Sequence, residues 1–282
     1  MSSGEGFLYI VTGDDFLNEA IRSAERLREV EPDVNITLIS DRRPETSVFD
    51  RVDLIEQPFY SHQDKVAHIR DSPYSKTIFL DSDTYACSEL SDLFDLLDNY
   101  DFAAAHDSGR RRELYVDDKI TVNAPDSFPM VNSGVMAFRD TRDVENLFKA
   151  WSEVYSRHRQ HKEGIVNQPS LREALYHSEV SMTVLPPEYN CRTPFPPYIR
   201  GGVKLIHGRD NKPGEVCSEI NALGEDIRRT FYVVNMNGES KVRVCPEKWP
   251  QRIDLIWMSL VHRGIFDTVK NLIDWSKGGD FN

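Results

Sequence analysis

Two aspartates directly after an apolar run are the residues of this sequence best placed to do chemistry. The run 77–80 ends at Asp81-Ser82-Asp83. Alternation along an extended segment puts Asp81 and Asp83 on the same side, where their carboxylates can together hold a hard divalent cation. Because ligands of open α/β sheets bind at the carboxyl ends of the strands, we expect both carboxylates to face a binding site.

Apolar periodicity predicts the elements that must position these aspartates. A buried strand at 7–11 is followed by a helix, to about Val30, that Asp14 or Asp15 can cap. Further strands are predicted at 34–39, 52–55, 77–80, 102–106, 130–138, 182–185 and 203–206, and helices at 66–70, 90–97, 144–155 and 169–176. Because parallel strands need crossover helices, this order predicts a three-layer α/β architecture. The polar stretch 107–127 predicts a functional loop or lid.

The last sixty residues differ in character from the rest. Apolar runs at 232–236 and 241–244 flank Asn237-Gly238, which predicts a β-hairpin, and an amphipathic helix follows over 253–272. We therefore expect one domain at 1–222 and an appendage at 223–282. Two interpretations of the helix stay open: it packs on its own domain or on a second subunit in a homodimer, or it lies on a membrane surface.

The composition is that of an ordinary globular chain of 282 residues, of which 39% are hydrophobic. A net charge of −12 argues against nucleic-acid binding, so that an anionic ligand must be held locally or through a metal. The four cysteines lie far apart without a C-x-x-C pair, which predicts reduced thiols. We expect a cytoplasmic protein, because the sequence shows no leader pattern and no apolar stretch of ~18 residues.

The apolar strand, the D-x-D and the helix after it resemble the GT-A fold glycosyltransferases, most closely glycosyltransferase family 8. The resemblance runs from about Phe7 to Pro213. It implies a GT-A fold, with three α/β/α layers around a mixed, mainly parallel sheet. It also implies that the Asp81-Ser82-Asp83 segment binds Mn²⁺, or Mg²⁺, bridging the diphosphate of a nucleotide sugar. In that arrangement Asp83 binds the metal, and Asp81 is shared between the metal and the ribose.

Two segments match the family's binding site for the nucleoside. Thr12-Gly13-Asp14 closes the first strand where relatives hold uracil and ribose, which makes Asp14 the candidate for the base N–H. A helix cap is an alternative or additional role for Asp14. Lys65 matches a basic residue that contacts the donor, with a surface lysine as the alternative interpretation.

Two other segments match the family's sugar site. Asn132-Ser133-Gly134 resembles the N-S-G-V segment, in which small residues let the backbone and the Asn amide approach the donor sugar. Asn167-Gln168 resembles a D-Q segment whose Gln lies beneath the anomeric carbon. Asn167 replaces the usual Asp, so this position carries no negative charge in this chain.

The segment from His207 to Pro213 resembles a family motif that supplies a third metal ligand and binds phosphate. The resemblance assigns the metal ligand to His207 and phosphate binding to Gly208 and Lys212. Imidazole nitrogen combined with carboxylate oxygens suits Mn²⁺ better than Ca²⁺. The chain departs from the motif, because Gly208 follows the histidine directly, Lys212 comes one residue early and no Trp follows Pro213.

These segments imply a metal-dependent, retaining glycosyltransferase that moves a hexose from a UDP-sugar to a hydroxyl of a glycan, glycolipid or protein. Asn132, Asn167 and Gln168 are then the catalytic candidates. Two alternatives remain: a nucleotidyltransferase that makes nucleotide sugars, and a catalytically silent GT-A scaffold. The first lacks its glycine-rich basic signature, and the intact Asp81, Asp83 and His207 argue against the second.

Overall fold

A seven-stranded sheet forms the centre of the protein in the computed structural model, which describes residues 4–107, 122–161, 164–222, 224, 229–236 and 239–246. The strands are β1 (Glu5–Val11), β2 (Ile36–Ser40), β3 (Arg51–Leu54), β4 (Lys76–Leu80), β5 (Thr84–Ala86), β6 (Phe102–His106), β7 (Val131–Arg139), β8 (Met182–Leu185), β9 (Cys191–Arg192), β10 (Leu205–His207), β11 (Arg229–Met236) and β12 (Glu239–Pro246). The helices are α1 (Asp14–Val30), α2 (His62–His68), α3 (Asp92–Leu96), α4 (Arg142–Arg159), α5 (Gln168–Tyr176) and α6 (Pro213–Asn221), with 3₁₀ turns at Ile69–Asp71 and Pro187–Asn190.

The central sheet has the strand order β3-β2-β1-β4-β7-β6-β8. All neighbours are parallel except that β7 runs antiparallel to both β4 and β6. The predicted mixed, mainly parallel sheet is therefore confirmed. Since β7 is reversed, its first residues lie at the edge where β4 ends.

Helices cover both faces of this sheet, which confirms the three-layer prediction. Alternate residues of β1 enter two different apolar clusters: Phe7 and Tyr9 pack with Leu27 of α1, and Leu8 packs with Trp151 of α4. Because both faces are covered, the inner strands are mostly apolar, as continuous hydrophobic runs predict. The candidate site lies where β4 ends and β7 begins, and polar side chains cluster there.

A second, three-stranded sheet with the order β5-β10-β9 stands beside the end of β4. The hairpin β11-β12, predicted from the sequence, packs against this second sheet. Phe231 of β11 is buried in one apolar cluster together with Ile206 of β10 and Val216 of α6. Arg229 is fully buried and donates to the carbonyl oxygens of Ile220, Arg200, Gly201 and Gly224. The domain boundary near residue 222 stays a prediction, and the turn 237–238 and the helix of 253–272 lie outside the described residues.

Two local expectations are wrong. The cap of α1 is Gly13 and not an aspartate, with Asp14 and Asp15 in the first turn of the helix. Cys87 and Cys217 form a disulfide across 130 residues, with Cα atoms 6.1 Å apart. Because α6 packs against the strand that ends before Cys87, this pairing depends on a tertiary contact that spacing does not reveal.

The thiol of Cys191 is free and buried, and burial raises its pKa. Most of the predicted loop 107–127, namely 108–121, lies outside the described residues. Within the part of the chain that the structure describes, no helix is both long and apolar enough to cross a membrane.

Candidate active site

The ends of three strands bring the D-x-D aspartates and the histidine together. Leu80, the last residue of β4, pairs with Val135 of β7, and Asp81 N then donates to Gly134 O at 2.8 Å. In the second sheet, His207 pairs with Thr84, the residue after Asp83. Sheet register therefore brings the two aspartates and the histidine together.

Asp81, Asp83 and His207 offer ligand atoms that all lie within 4.8 Å of one another. His207 Nε2 is 3.4 Å from Asp83 Oδ1 and 3.9 Å from Asp81 Oδ2. His207 Nδ1 lies 2.8 Å from Asn190 Oδ1. Because a carboxamide oxygen only accepts, Nδ1 donates a hydrogen to Asn190, and Nε2 faces the two carboxylates.

The electrostatics of Asp83 suit a metal ligand. Burial acts to raise the pKa of Asp83, but the hydrogen bond and charge of His207, followed by the charge of Arg209, hold it well below its usual range. Asp83 is therefore ionised at neutral pH, as a carboxylate ligand must be.

Lys65 joins the metal-ligand candidates to the segment Asn132-Ser133-Gly134. Its buried ammonium donates to Asp81 Oδ1 at 2.9 Å and to Ser133 O at 3.2 Å. The Ser133 hydroxyl donates to Asn167 Oδ1 at 2.9 Å, which links strand β7 to the start of α5. The surface-lysine interpretation of Lys65 is wrong, because the side chain is buried and holds Asp81 in place.

Asn132 and Asn167, which flank Ser133 in this part of the site, are both buried. Asn132 Oδ1 accepts from Gly134 N at 3.0 Å and from Asn190 Nδ2 at 2.9 Å. Within the described part of the chain, Asn167 Nδ2 is buried and has no hydrogen-bond partner. An unsatisfied buried donor of this kind is expected where a ligand supplies the acceptor.

A cavity of about 420 Å³ opens over these residues. Of the residues predicted from the sequence, it is lined by Thr12, Lys65, Asp81, Ser82, Asp83, Asn132, Ser133, Gly134, Asn167, Gln168 and His207. The exposed aromatic side chains of Phe16 and Tyr60 line it as well. The cavity is therefore large enough for a small organic ligand and has both apolar and charged walls.

Four predicted site residues do not line this cavity. Gly13 donates its N–H to Asp41, and Asp14 pairs with Arg42 at the surface. Gly208 lines a neighbouring cavity of about 370 Å³, and its N–H donates to Asp83 O at 2.9 Å. Lys212 is exposed and pairs with Glu215 at 2.9 Å.

Sequence reasoning missed several polar residues of the site. Asn190 orients His207, Arg209 lies 3.4 Å from Asp83, and Arg192 lines the cavity while it pairs with Asp107 at 3.1 Å. Asp64 accepts from Thr12 and from the backbone of Ser61, in a capping box that the S-x-x-D spacing could have revealed. The others carry no sequence pattern.

The residues present fit a divalent cation such as Mn²⁺ or Mg²⁺. Two carboxylates and one imidazole nitrogen form a donor set that suits Mn²⁺. Two of the three ligands are fixed by a second residue, Asp81 by Lys65 and His207 by Asn190. A Cβ on Gly134 would lie 2.2 Å from His207 Cε1 and 2.8 Å from Asp81 Oδ2. The glycine therefore leaves the space that these two ligands occupy.

Comparison with known proteins gives a family for this chain. A family model described as nucleotide-diphospho-sugar transferase matches residues 75–243, a range that contains the D-x-D, the N-S-G segment and the histidine. No curated protein matches the sequence.

Solved structures show the fold. The galactosyltransferase LgtC, in complex with donor and acceptor sugar analogs, superposes with a TM-score of 0.51 at 13% identity, over 76% of this chain and 94% of its own. The glycosyltransferase GlyE of Streptococcus pneumoniae superposes with a TM-score of 0.52 at 15% identity, over 77% and 60%. Mouse xyloside xylosyltransferase 1 gives 0.51 at 15% identity, over 74% and 99%. The chain therefore has the GT-A fold that the sequence predicted.

Proposed function

The chain belongs to the nucleotide-diphospho-sugar transferase family, and we propose that it moves a hexose from a UDP-sugar to an acceptor hydroxyl, with retention at the anomeric carbon. The observation that carries the proposal is the convergence of Asp81, Asp83 and His207 at the wall of a cavity of about 420 Å³. Two carboxylates beside a binding cavity repel a diphosphate unless a cation lies between them. A sugar donor that binds through a cation would explain why the two carboxylates and the imidazole lie together.

Asp81, Asp83 and His207 would hold Mn²⁺ or Mg²⁺, and the bound cation would supply positive charge against the negative charge of a departing diphosphate. Lys65 keeps Asp81 in position and adds a positive charge beside it. Because the side chain of Lys65 is buried, its charge acts through a medium of lower dielectric than water. The chain itself therefore contributes three candidate ligands to the site, together with the buried positive charge of Lys65.

Gln168 and Asn167 support the assignment of a sugar site in the same cavity. Both are buried at the start of α5 and both line the cavity. The Asn167 amide is neutral, so it can donate to a sugar or acceptor hydroxyl but cannot act as a base. We therefore assign Gln168 to stabilisation of the oxocarbenium-like state and Asn132 to contact with the donor sugar.

The acceptor is a hydroxyl of a glycan, glycolipid or protein. Contact with a membrane or with a second subunit would involve the helix of 253–272, which lies outside the described residues. We retain both as proposals about acceptor access, and flotation with anionic liposomes at low salt tests the membrane contact. Floating protein supports the membrane, and protein that stays at the bottom supports packing of the helix on its own domain or on a second subunit.

The proposed function is tested by incubation with a panel of nucleotide sugars and Mn²⁺. We expect free UDP to be released from a UDP-hexose, and the release to stop when a chelator is added. NMR of the early product from an α-linked donor should show an α-linkage. In a separate incubation with a nucleoside triphosphate and a sugar 1-phosphate, formation of a nucleotide sugar and pyrophosphate would point to a nucleotidyltransferase. No turnover in either incubation would favour a silent scaffold.

Gln168→Ala tests the proposal that Gln168 stabilises the oxocarbenium-like transition state. We expect kcat to fall about 10- to 100-fold, because a group that acts on developing charge contributes in the transition state. The KM for the donor should change less than threefold. A rise in KM with unchanged kcat would contradict the assignment and make Gln168 a residue of ground-state binding.

A further inference from the structure

A basic side chain absent from the predicted site lies directly over the metal-ligand candidates. Arg209 comes two residues after His207, and its Nη1 is 3.4 Å from Asp83 Oδ2. It lines the cavity over the site and also the neighbouring cavity of about 370 Å³. Arg209 therefore lies where the two cavities meet, beside Asp83, which lines both.

Glu19 fixes the orientation of this guanidinium. Arg209 Nε donates to Glu19 Oε1 at 2.7 Å, and Nη2 donates to Glu19 Oε2 at 3.1 Å. The Ser82 hydroxyl also donates to Glu19 Oε2, at 2.9 Å, which ties Glu19 to the D-x-D segment. Because one edge of the guanidinium is held by Glu19, Nη1 is directed at the metal-ligand candidates before any ligand arrives.

Lys212 is held differently. It is the residue before α6, and its ammonium pairs with Glu215 in the first turn of that helix at 2.9 Å. Its side chain is about as exposed as that of Arg209, at 54% against 57%, but it lines neither of the two cavities. The helix geometry thus directs Lys212 along the surface of α6.

We propose that Arg209, and not Lys212, binds the diphosphate of the donor, an inference that rests on the proposed function. A divalent cation on Asp83 would satisfy the carboxylate that Arg209 now approaches, and it would repel the guanidinium. The N–H groups of Nη1 then need an anionic acceptor at the same place, and a diphosphate brought in with the cation supplies one. A planar guanidinium matches phosphate oxygens better than an ammonium does.

Charge counting agrees with this assignment. Asp81, Asp83 and Glu19 carry three negative charges, whereas Lys65 and Arg209 carry two positive ones. A divalent cation makes the site net positive, which favours an anionic ligand. Since the whole chain has a net charge of −12, this attraction is local to the site.

Calorimetry of UDP binding at saturating Mn²⁺ tests the proposal, with Arg209→Gln against Lys212→Gln as the matched control. We expect Arg209→Gln to weaken UDP binding about 10- to 100-fold, the range for a charge-assisted hydrogen bond. Lys212→Gln should stay within threefold of the wild type. Arg209→Lys should recover part of the affinity, because the charge remains and the planar fork is lost.

Titration of Mn²⁺ alone separates contact with the diphosphate from damage to the metal site. We expect the Mn²⁺ affinity of Arg209→Gln to be unchanged or higher, because a cation next to Asp83 has been removed. The inference is overturned if Arg209→Gln binds UDP within threefold of the wild type, or if it loses Mn²⁺ and UDP affinity equally. A wild type that binds another nucleoside diphosphate in place of UDP would contradict only the proposed donor, and the same variants then test Arg209 with that diphosphate.

Discussion

Gly134 shows how closely the candidate metal ligands approach strand β7. It lies in the middle of a buried nine-residue strand, where a glycine weakens the sheet. The space that a Cβ would fill is occupied by His207 Cε1 and Asp81 Oδ2, at 2.2 and 2.8 Å. The candidate metal site, and not the strand, therefore explains why a glycine occupies this position.

Gly134→Ala should therefore displace His207 or Asp81. We expect Mn²⁺ affinity to fall about tenfold or more, comparable to the loss of a residue that supports a metal ligand. The free energy of unfolding should fall by about 1–3 kcal/mol, as for an overpacked core. Calorimetry with Mn²⁺ and urea denaturation measure the two effects.

Gly201→Ala is the control for this variant. A Cβ on Gly201 would lie 3.6 Å from the Glu188 side chain, an ordinary contact. Equal loss of Mn²⁺ affinity in both variants would mean that Gly134 acts through general stability, which would contradict its assigned role.

At the scale of elements, strand direction explains why distant segments meet. The D-x-D follows parallel strand β4, and the N-S-G segment begins antiparallel strand β7, so that both lie at one edge of the sheet. Helix α2 is fixed to this edge through Asp64. The Asp64 carboxylate accepts from the backbone of Phe59 and Ser61 and from the Thr12 hydroxyl.

Asp64→Ala should destabilise the protein by about 3 kcal/mol, because it leaves buried donors without their charged acceptor. Urea denaturation measures the loss. Asp71→Ala is the matched control. Asp71 lies in the 3₁₀ turn that follows α2, and its half-exposed carboxylate pairs with His68. An equal effect of the two substitutions would show that Asp64 does not anchor α2.

The elements were predictable from the sequence to a larger extent than the contacts between them. Periodicity predicts the inner strands, because they are covered on both faces and are mostly apolar. It does not reveal that Asn190 orients His207 or that Glu19 holds Arg209, since these pairs join segments far apart in the chain. Lys212 was assigned to phosphate from the motif alone, whereas the local geometry of α6 pairs it with Glu215.

At the scale of the whole molecule, the hairpin β11-β12 is joined to the second sheet by a shared core. Phe231 is fully buried there, and Arg229 satisfies several carbonyl groups of the loop before β10 and of the end of α6. His207 belongs to this second sheet. The stability of the candidate metal site is therefore coupled to the hairpin.

Truncation after residue 222, the predicted boundary, should lower the melting temperature and weaken Mn²⁺ binding. Phe231→Ala is the milder variant, with an expected loss of about 3–5 kcal/mol from the cavity it leaves. Calorimetric unfolding of both variants measures the coupling. A truncated protein with an unchanged melting temperature would show that 1–222 is an independent domain.

The central claim is that the site binds a cation and a nucleoside diphosphate as one unit. Its most direct test is calorimetric titration of the wild type with UDP, in Mn²⁺ and in chelator, repeated with Asp83→Ala. We predict binding that is at least about tenfold tighter in Mn²⁺, and a variant that keeps its melting temperature but loses the difference. Equal UDP affinity of the wild type in Mn²⁺ and in chelator would contradict the claim.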